Sequence, residues 1–128
     1  MKTSYTSIII CHQDLAQAFI ETVEKIIGPQ KNTFAYSNKQ DSLPVLAQKI
    51  SDNIKKVAAK HTVIFVDFKG GSCWNLASML KREFPETCVI SGINLPMLIT
   101  YYSNMENMSF KELTEKVYND GCRAIESQ

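Results

Sequence analysis

The stretch TVIFVDF, residues 62–68, is apolar at every position between its opening threonine and Asp67. A strand with apolar side chains on both faces must be covered on both, which is the situation of a central strand in a parallel sheet. Three further runs have strand character: SYTSIII (4–10), NTFAY (32–36) and TCVISGIN (87–94). Between them the apolar period changes to that of a helix. Leu15, Phe19, Val23, Ile26 and Ile27 recur at helical spacing, and Gly28-Pro29 stops the run. Ser42, with Pro44 just inside, opens a second helix whose apolar stripe is Leu46, Ile50, Ile54 and Val57. CWNLASMLKREF (73–84) is a third, with Leu76, Ala77, Leu80 and Phe84 facing inward, and Pro96 opens a short fourth around MLITYY. Ser109-x-x-Glu112 has the form of a capping box and starts a fifth helix running to Gly121. The remaining CRAIESQ reads as one short last strand. The alternation predicts a doubly wound α/β fold: a mainly parallel four-stranded sheet with right-handed crossovers and helices on both faces. With no linker, repeat or low-complexity tract, residues 1–128 read as a single domain.

Composition narrows the function. A net charge of +1 without a lysine/arginine cluster excludes a nucleic-acid footprint. No apolar run approaches the roughly 20 residues of a membrane span. The segment MKTSYTSIII lacks a signal-peptide layout, because its apolar part is only a few residues long. Four cysteines, at 11, 73, 88 and 122, have neither CxxC spacing nor disulfide-scaffold density. They are expected as free thiols of a cytoplasmic protein.

In such a sheet ligands bind beyond the carboxyl ends of the strands, where the strand order reverses. Cys11 and His12 follow the first strand, Asp67 to Cys73 the third, and SGINLP the fourth. If the first and third strands are neighbours, His12 and Asp67 share one crevice. His61, at the opposite end of the third strand, is too distant to pair with His12 and reads as a surface residue. GGS (70–72), between a buried strand and a helix, is a backbone cup for an anion, backed by the helix N-terminus. A tight strand-to-helix turn is the plainer reading of the same residues. An imidazole with one nitrogen pinned by a carboxylate and the other free is a competent nucleophile. His12, Asp67 and the cup therefore suit a phosphoryl group carried on His12.

IIICH entering a helix, VIFVDFKGGSCWNLAS, VISGINLPML and SFKELTEKVYNDG occur in that order over nearly the whole chain. Together they resemble the IIA component of the mannose family of the bacterial phosphoenolpyruvate-dependent sugar phosphotransferase system. The resemblance implies that His12 is phosphorylated by the histidine phosphocarrier protein and passes the group to a IIB component, for uptake of a mannose-family sugar. It implies that Asp67 hydrogen-bonds that histidine, and that Gly70, Gly71 and Ser72 surround the phosphoryl group, with Cys73 where the family has proline. It places Cys11, Gln13 and Asn94 at the rim of the site. It further implies a homodimer in which the C-terminal strand, CRAIE here, pairs antiparallel with the partner's sheet. No metal or organic cofactor is implied. Gln13 stands where the family has glycine, Cys11 where it has threonine or serine, and Lys69 where it has a bulky apolar residue. These departures rim the histidine and bear on partner docking.

Three other readings compete with this one. A response-regulator receiver would use Asp67 as phospho-acceptor, but it needs an acidic pair after the first strand, where this chain has CHQD. A metal or redox site would draw on Cys11, His12, Asp67 and Cys73. Against it, neighbours such as Cys11 and His12 point to opposite faces, and no short chelating spacing exists. A regulatory phosphocarrier or interaction module of an incomplete phosphotransferase system is the third.

Overall fold

The structure is a computed structural model and describes residues 5–128. Four strands and five helices make up the described residues: β1 (Tyr5–Cys11), α1 (Leu15–Ile27), β2 (Thr33–Ser37), α2 (Leu43–Val57), β3 (His61–Val66), α3 (Ser72–Glu83), β4 (Thr87–Ser91), α4 (Leu95–Asn104) and α5 (Phe110–Arg123). Ser4, expected in the first strand, lies outside the described residues. No helix among the described residues is long and apolar enough to cross a membrane.

All pairings are parallel and the strand order is β2-β1-β3-β4. β1 and β3 are therefore central, as their apolar character on both faces requires: β1 is buried throughout, and β3 from Thr62 onward. Alternate residues feed two cores. Ile9, Cys11, Val63 and Phe65 pack with α1, α4 and α5. Ile8, Ile10, Ile64 and Val66 pack with α2 and α3 on the other face. From β1 the chain winds outward to β2, and from β3 outward to β4, so the order reverses between β1 and β3.

Local signals set most helix ends. Ser42 Oγ accepts from the Val45 N–H, and Ser109 with Glu112 forms both halves of the capping box. The inward face of α1 is rotated from the expected stripe. Ala16, Ile20 and Val23 are buried, whereas Leu15, Ile26 and Ile27 are exposed. His61 lies at the far end of β3 from His12, yet it is no plain surface residue. It is half-buried, with its ring stacked on Phe110 at 4.2 Å between centroids.

The expected C-terminal strand is absent from the described residues. Cys122 and Arg123 continue α5, and Ala124–Gln128 form no strand. Gly121 is not a helix breaker here. It is buried in α5 where that helix crosses α4, and a Cβ there would meet Met97 Cε at 2.6 Å and Met97 Cβ at 3.2 Å. The residue is glycine because two helices approach closely, and the helix passes through it.

Candidate functional site

Ile10 pairs with Val66, so β1 and β3 finish side by side, and Asp67 and His12 are the first residues past their ends. One carboxylate oxygen, Asp67 Oδ2, accepts from the His12 backbone N–H at 2.8 Å and meets His12 Nδ1 at 2.7 Å. The other, Oδ1, accepts from the Phe68 N–H at 3.0 Å. Burial raises the Asp67 pKa, but these hydrogen bonds and the nearby imidazole outweigh it and hold the carboxyl below the usual range. Facing an ionised carboxylate, Nδ1 carries the ring proton and Nε2 keeps its lone pair. Nε2 has no protein partner among the described residues, and the His12 side chain is 39% exposed against 11% for Asp67. The imidazole is thus partly open to solvent while the carboxylate that holds it is sheltered.

The loop after β3 closes over this pair. Gly70 has φ +87°, and Gly71 is the extended residue that caps α3. The Asn75 N–H makes the bond back to the Gly71 carbonyl, so the N–H groups of Ser72, Cys73 and Trp74 lack intrahelical acceptors. Gly71 lies against the imidazole edge: a Cβ there would sit 3.6 Å from His12 Cε1, the carbon between the two ring nitrogens. The start of α3 thus presents N–H groups without intrahelical acceptors beside the imidazole, an arrangement that can receive an anion.

Cys73 Sγ lies 3.8 Å from His12 Nδ1. Cys11 points away, into the core beneath α1 and α4. Burial, with the Asp67 charge nearby, pushes the Cys11 thiol up to about 12 and the Cys73 thiol up to about 11. Gln13 follows His12 with φ +53°, a left-handed conformation that a non-glycine residue adopts at a cost. Asn94 lies past the end of β4, with its amide engaged elsewhere. Its Oδ1 accepts from the Met97 N–H at 3.0 Å, capping α4, and its Nδ2 donates to the Gly121 carbonyl at 3.1 Å.

Two neighbours of the site escaped the sequence reading. Phe68 stacks on the His12 ring at 5.3 Å between centroids and 20° between planes, although it is 54% exposed. An aromatic next to a strand-end aspartate was the available signal. Asn38, just past β2, donates from Nδ2 to Ser72 Oγ at 3.0 Å and from its backbone N–H to the Cys11 carbonyl at 3.4 Å. It ties the β2 end to the loop before α3, and nothing local distinguishes it from an ordinary turn residue.

Residues 6–118 match the family model EIIA-man, the PTS system fructose IIA component. The chain belongs to this family. Among its relatives, the PTS system sorbose-specific EIIA component of Klebsiella pneumoniae is 30% identical over 95% of this chain and 87% of the relative. The PTS system fructose-specific EIIA component of Bacillus subtilis is 31% identical over 83% of this chain and 74% of its own. The EIIA component of Streptococcus agalactiae shares the fold, with a TM-score of 0.88 at 21% identity over 96% of both chains. A phosphotransferase system IIA component of the mannose/sorbose type thus accounts for both the sheet and the motifs.

Proposed function

We propose that this IIA component is a phosphocarrier that accepts a phosphoryl group on His12 Nε2 and hands it on. The observation that carries the reading is the 2.7 Å contact of Asp67 with Nδ1, which leaves Nε2 free on a ring that lies beside the start of α3. The donor is the histidine phosphocarrier protein, and the acceptor is a IIB component serving uptake of a mannose-family sugar. Nε2 attacks the donor's phosphohistidine in line. The donor's N–P bond breaks, and its ring, protonated on the other nitrogen, departs as neutral imidazole with the bonding pair. His12 becomes a phosphorylated cation, stabilised by Asp67 through the retained Nδ1–H. The N–H groups of the α3 first turn neutralise the phosphoryl oxygens as the transition state spreads charge over them. Transfer to IIB is the same step in reverse.

Residues 1–128 form one domain working in the cytoplasm. A second copy is the proposed occupant of the β4 edge that faces away from β3. That edge borders a cavity of about 580 Å³ between Trp74 of α3 and Thr114 and Tyr118 of α5. Light scattering should report a dimer that Val89→Pro, which removes an edge N–H, converts to monomer.

The decisive experiment supplies phosphoenolpyruvate, enzyme I and a histidine phosphocarrier protein. One acid-labile, alkali-stable phosphoryl group per chain is expected, absent from His12→Gln. Label that persists in His12→Gln, or that hydroxylamine removes as from an acyl phosphate, would transfer the role to Asp67.

A further inference from the structure

We propose that His12 Nδ1, a carboxylate oxygen of Asp67 and Cys73 Sγ form a site for a borderline-soft divalent cation such as zinc, whose binding switches off the nucleophile. The second half of this statement rests on the phosphocarrier reading, and the first does not. The three ligand atoms all lie within 4.8 Å of one another. They come from three separate elements, the ends of β1 and β3 and the first turn of α3, so the fold holds them together without a chelating motif. A tetrahedral zinc with bonds of about 2.0–2.3 Å holds its ligand atoms roughly 3.3–3.6 Å apart. The Nδ1–Sγ separation of 3.8 Å is already close to that, and the Nδ1–Oδ2 pair at 2.7 Å needs to open by a fraction of an ångström.

The donor set selects the metal. A cysteine sulfur with an imidazole and a carboxylate suits zinc or cobalt and disfavours magnesium and calcium, which take oxygen ligands. Three protein ligands leave a fourth position for water. Cys11 is excluded because its side chain is packed in the opposite core.

The switch follows from the ring's single proton. A metal on Nδ1 occupies the lone pair there, so the neutral ring must carry its proton on Nε2. Nε2 then has no lone pair with which to attack phosphorus. On binding, the Cys73 thiol releases one proton to solvent, and the imidazole proton moves from Nδ1 to Nε2. Asp67 exchanges the Nδ1–H hydrogen bond for the metal and keeps the His12 backbone N–H, now at 2.8 Å. A metal-bound imidazole therefore cannot accept the phosphoryl group until the metal leaves Nδ1.

Cobalt(II) serves as the probe, in a Cys122→Ser background that removes the exposed thiol. One equivalent should produce tetrahedral d–d bands and a thiolate-to-cobalt charge-transfer band, both bleached by zinc. The charge-transfer band should vanish in Cys73→Ala, and affinity should fall at least tenfold in His12→Gln, whose site is half-exposed. Native-like circular dichroism of both variants ensures that the loss is not unfolding. Absence of the band in the parent protein, or its survival in Cys73→Ala, would overturn the site. For the switch, labelling is followed from isolated phosphorylated donor protein, with zinc or magnesium added. Zinc should slow labelling at least tenfold and magnesium should not. Cobalt binding with zinc-insensitive labelling would overturn the switch alone. A chain that binds cobalt but takes no label even without zinc would overturn the phosphocarrier reading and the switch while leaving the metal site standing.

Discussion

Asp67 does two jobs with one oxygen, since Oδ2 meets both the backbone and the ring of His12. Replacement by asparagine keeps the size and removes the charge that fixes the tautomer. Asp67→Asn should therefore slow phosphoryl transfer roughly ten- to a hundredfold, the usual scale for losing such a partner. Nitrogen-15 shifts of the His12 ring should show the Nδ1–H tautomer giving way to a mixture. The carboxyl is held below its ordinary range by the folded state, so it stabilises the fold above the unfolded value of about 4 and ceases to as pH falls through the folded one. The stability gap between wild type and Asp67→Asn should be flat above about pH 5 and close under acid, as read from denaturant midpoints. A gap independent of pH would mean that the charge contributes nothing to the fold. Next to His12, Gln13 occupies a left-handed conformation, φ +53°. Gln13→Gly relieves about 1–2 kcal/mol of that strain but adds about 0.4–1 kcal/mol of entropy to the unfolded chain, so stability should rise by roughly 0.5–1 kcal/mol, and a lower urea midpoint would contradict it.

At the scale of elements, the crossing of α4 and α5 depends on the absence of a side chain at Gly121. A methyl group there would be 2.6 Å from Met97 Cε and 3.2 Å from its Cβ, and the Cβ cannot rotate away. The same crossing places the Gly121 carbonyl where Asn94 Nδ2 reaches it at 3.1 Å, so a shift of α5 would also loosen the α4 cap. Alanine gains up to about 1 kcal/mol of helix propensity, but overpacking of this kind costs about 1–3 kcal/mol. Gly121→Ala should be a net destabilisation with a lower melting temperature, and an unchanged or higher one would show that the two helices slide freely.

For the molecule as a whole, the last five residues distinguish two ways in which copies could meet. Ala124–Gln128 are all exposed and form no strand. Their removal should leave stability within about 0.5 kcal/mol, as for other surface changes. It should also leave the light-scattering mass unchanged, because the proposed dimer uses the β4 edge and not a tail. A drop in mass on truncation would restore the exchanged strand. The contrast between the two ends of the sheet is informative here. The carboxyl end gathers His12, Asp67 and the α3 N-terminus at the reversal of strand order, while the amino end holds His61 in an aromatic stack, with only the exposed Glu86 carboxylate near its Nδ1 at 3.4 Å.

The sequence by itself determined the alternation of elements, the centrality of β3, and the caps at Ser42 and Ser109, because these depend on periods and short-range hydrogen bonds. It also determined the candidate pair His12 and Asp67, because both stand one residue past a buried strand. Tertiary structure alone decided the rest. Phe68 and Asn38 joined the site through contacts with segments distant in sequence. Gly121, which locally reads as a stop, became a helix-crossing point because its meaning lies in Met97, a residue of another helix. Cys73 and Cys11 look equivalent as thiols near the site, but only packing decides which shares a space with His12. Cys11 ends a strand with its side chain on the α1 face, while Cys73 begins a helix on the other, 3.8 Å from Nδ1. The direction of a side chain at a strand end is local, but what it meets is set by whichever element the fold lays against it.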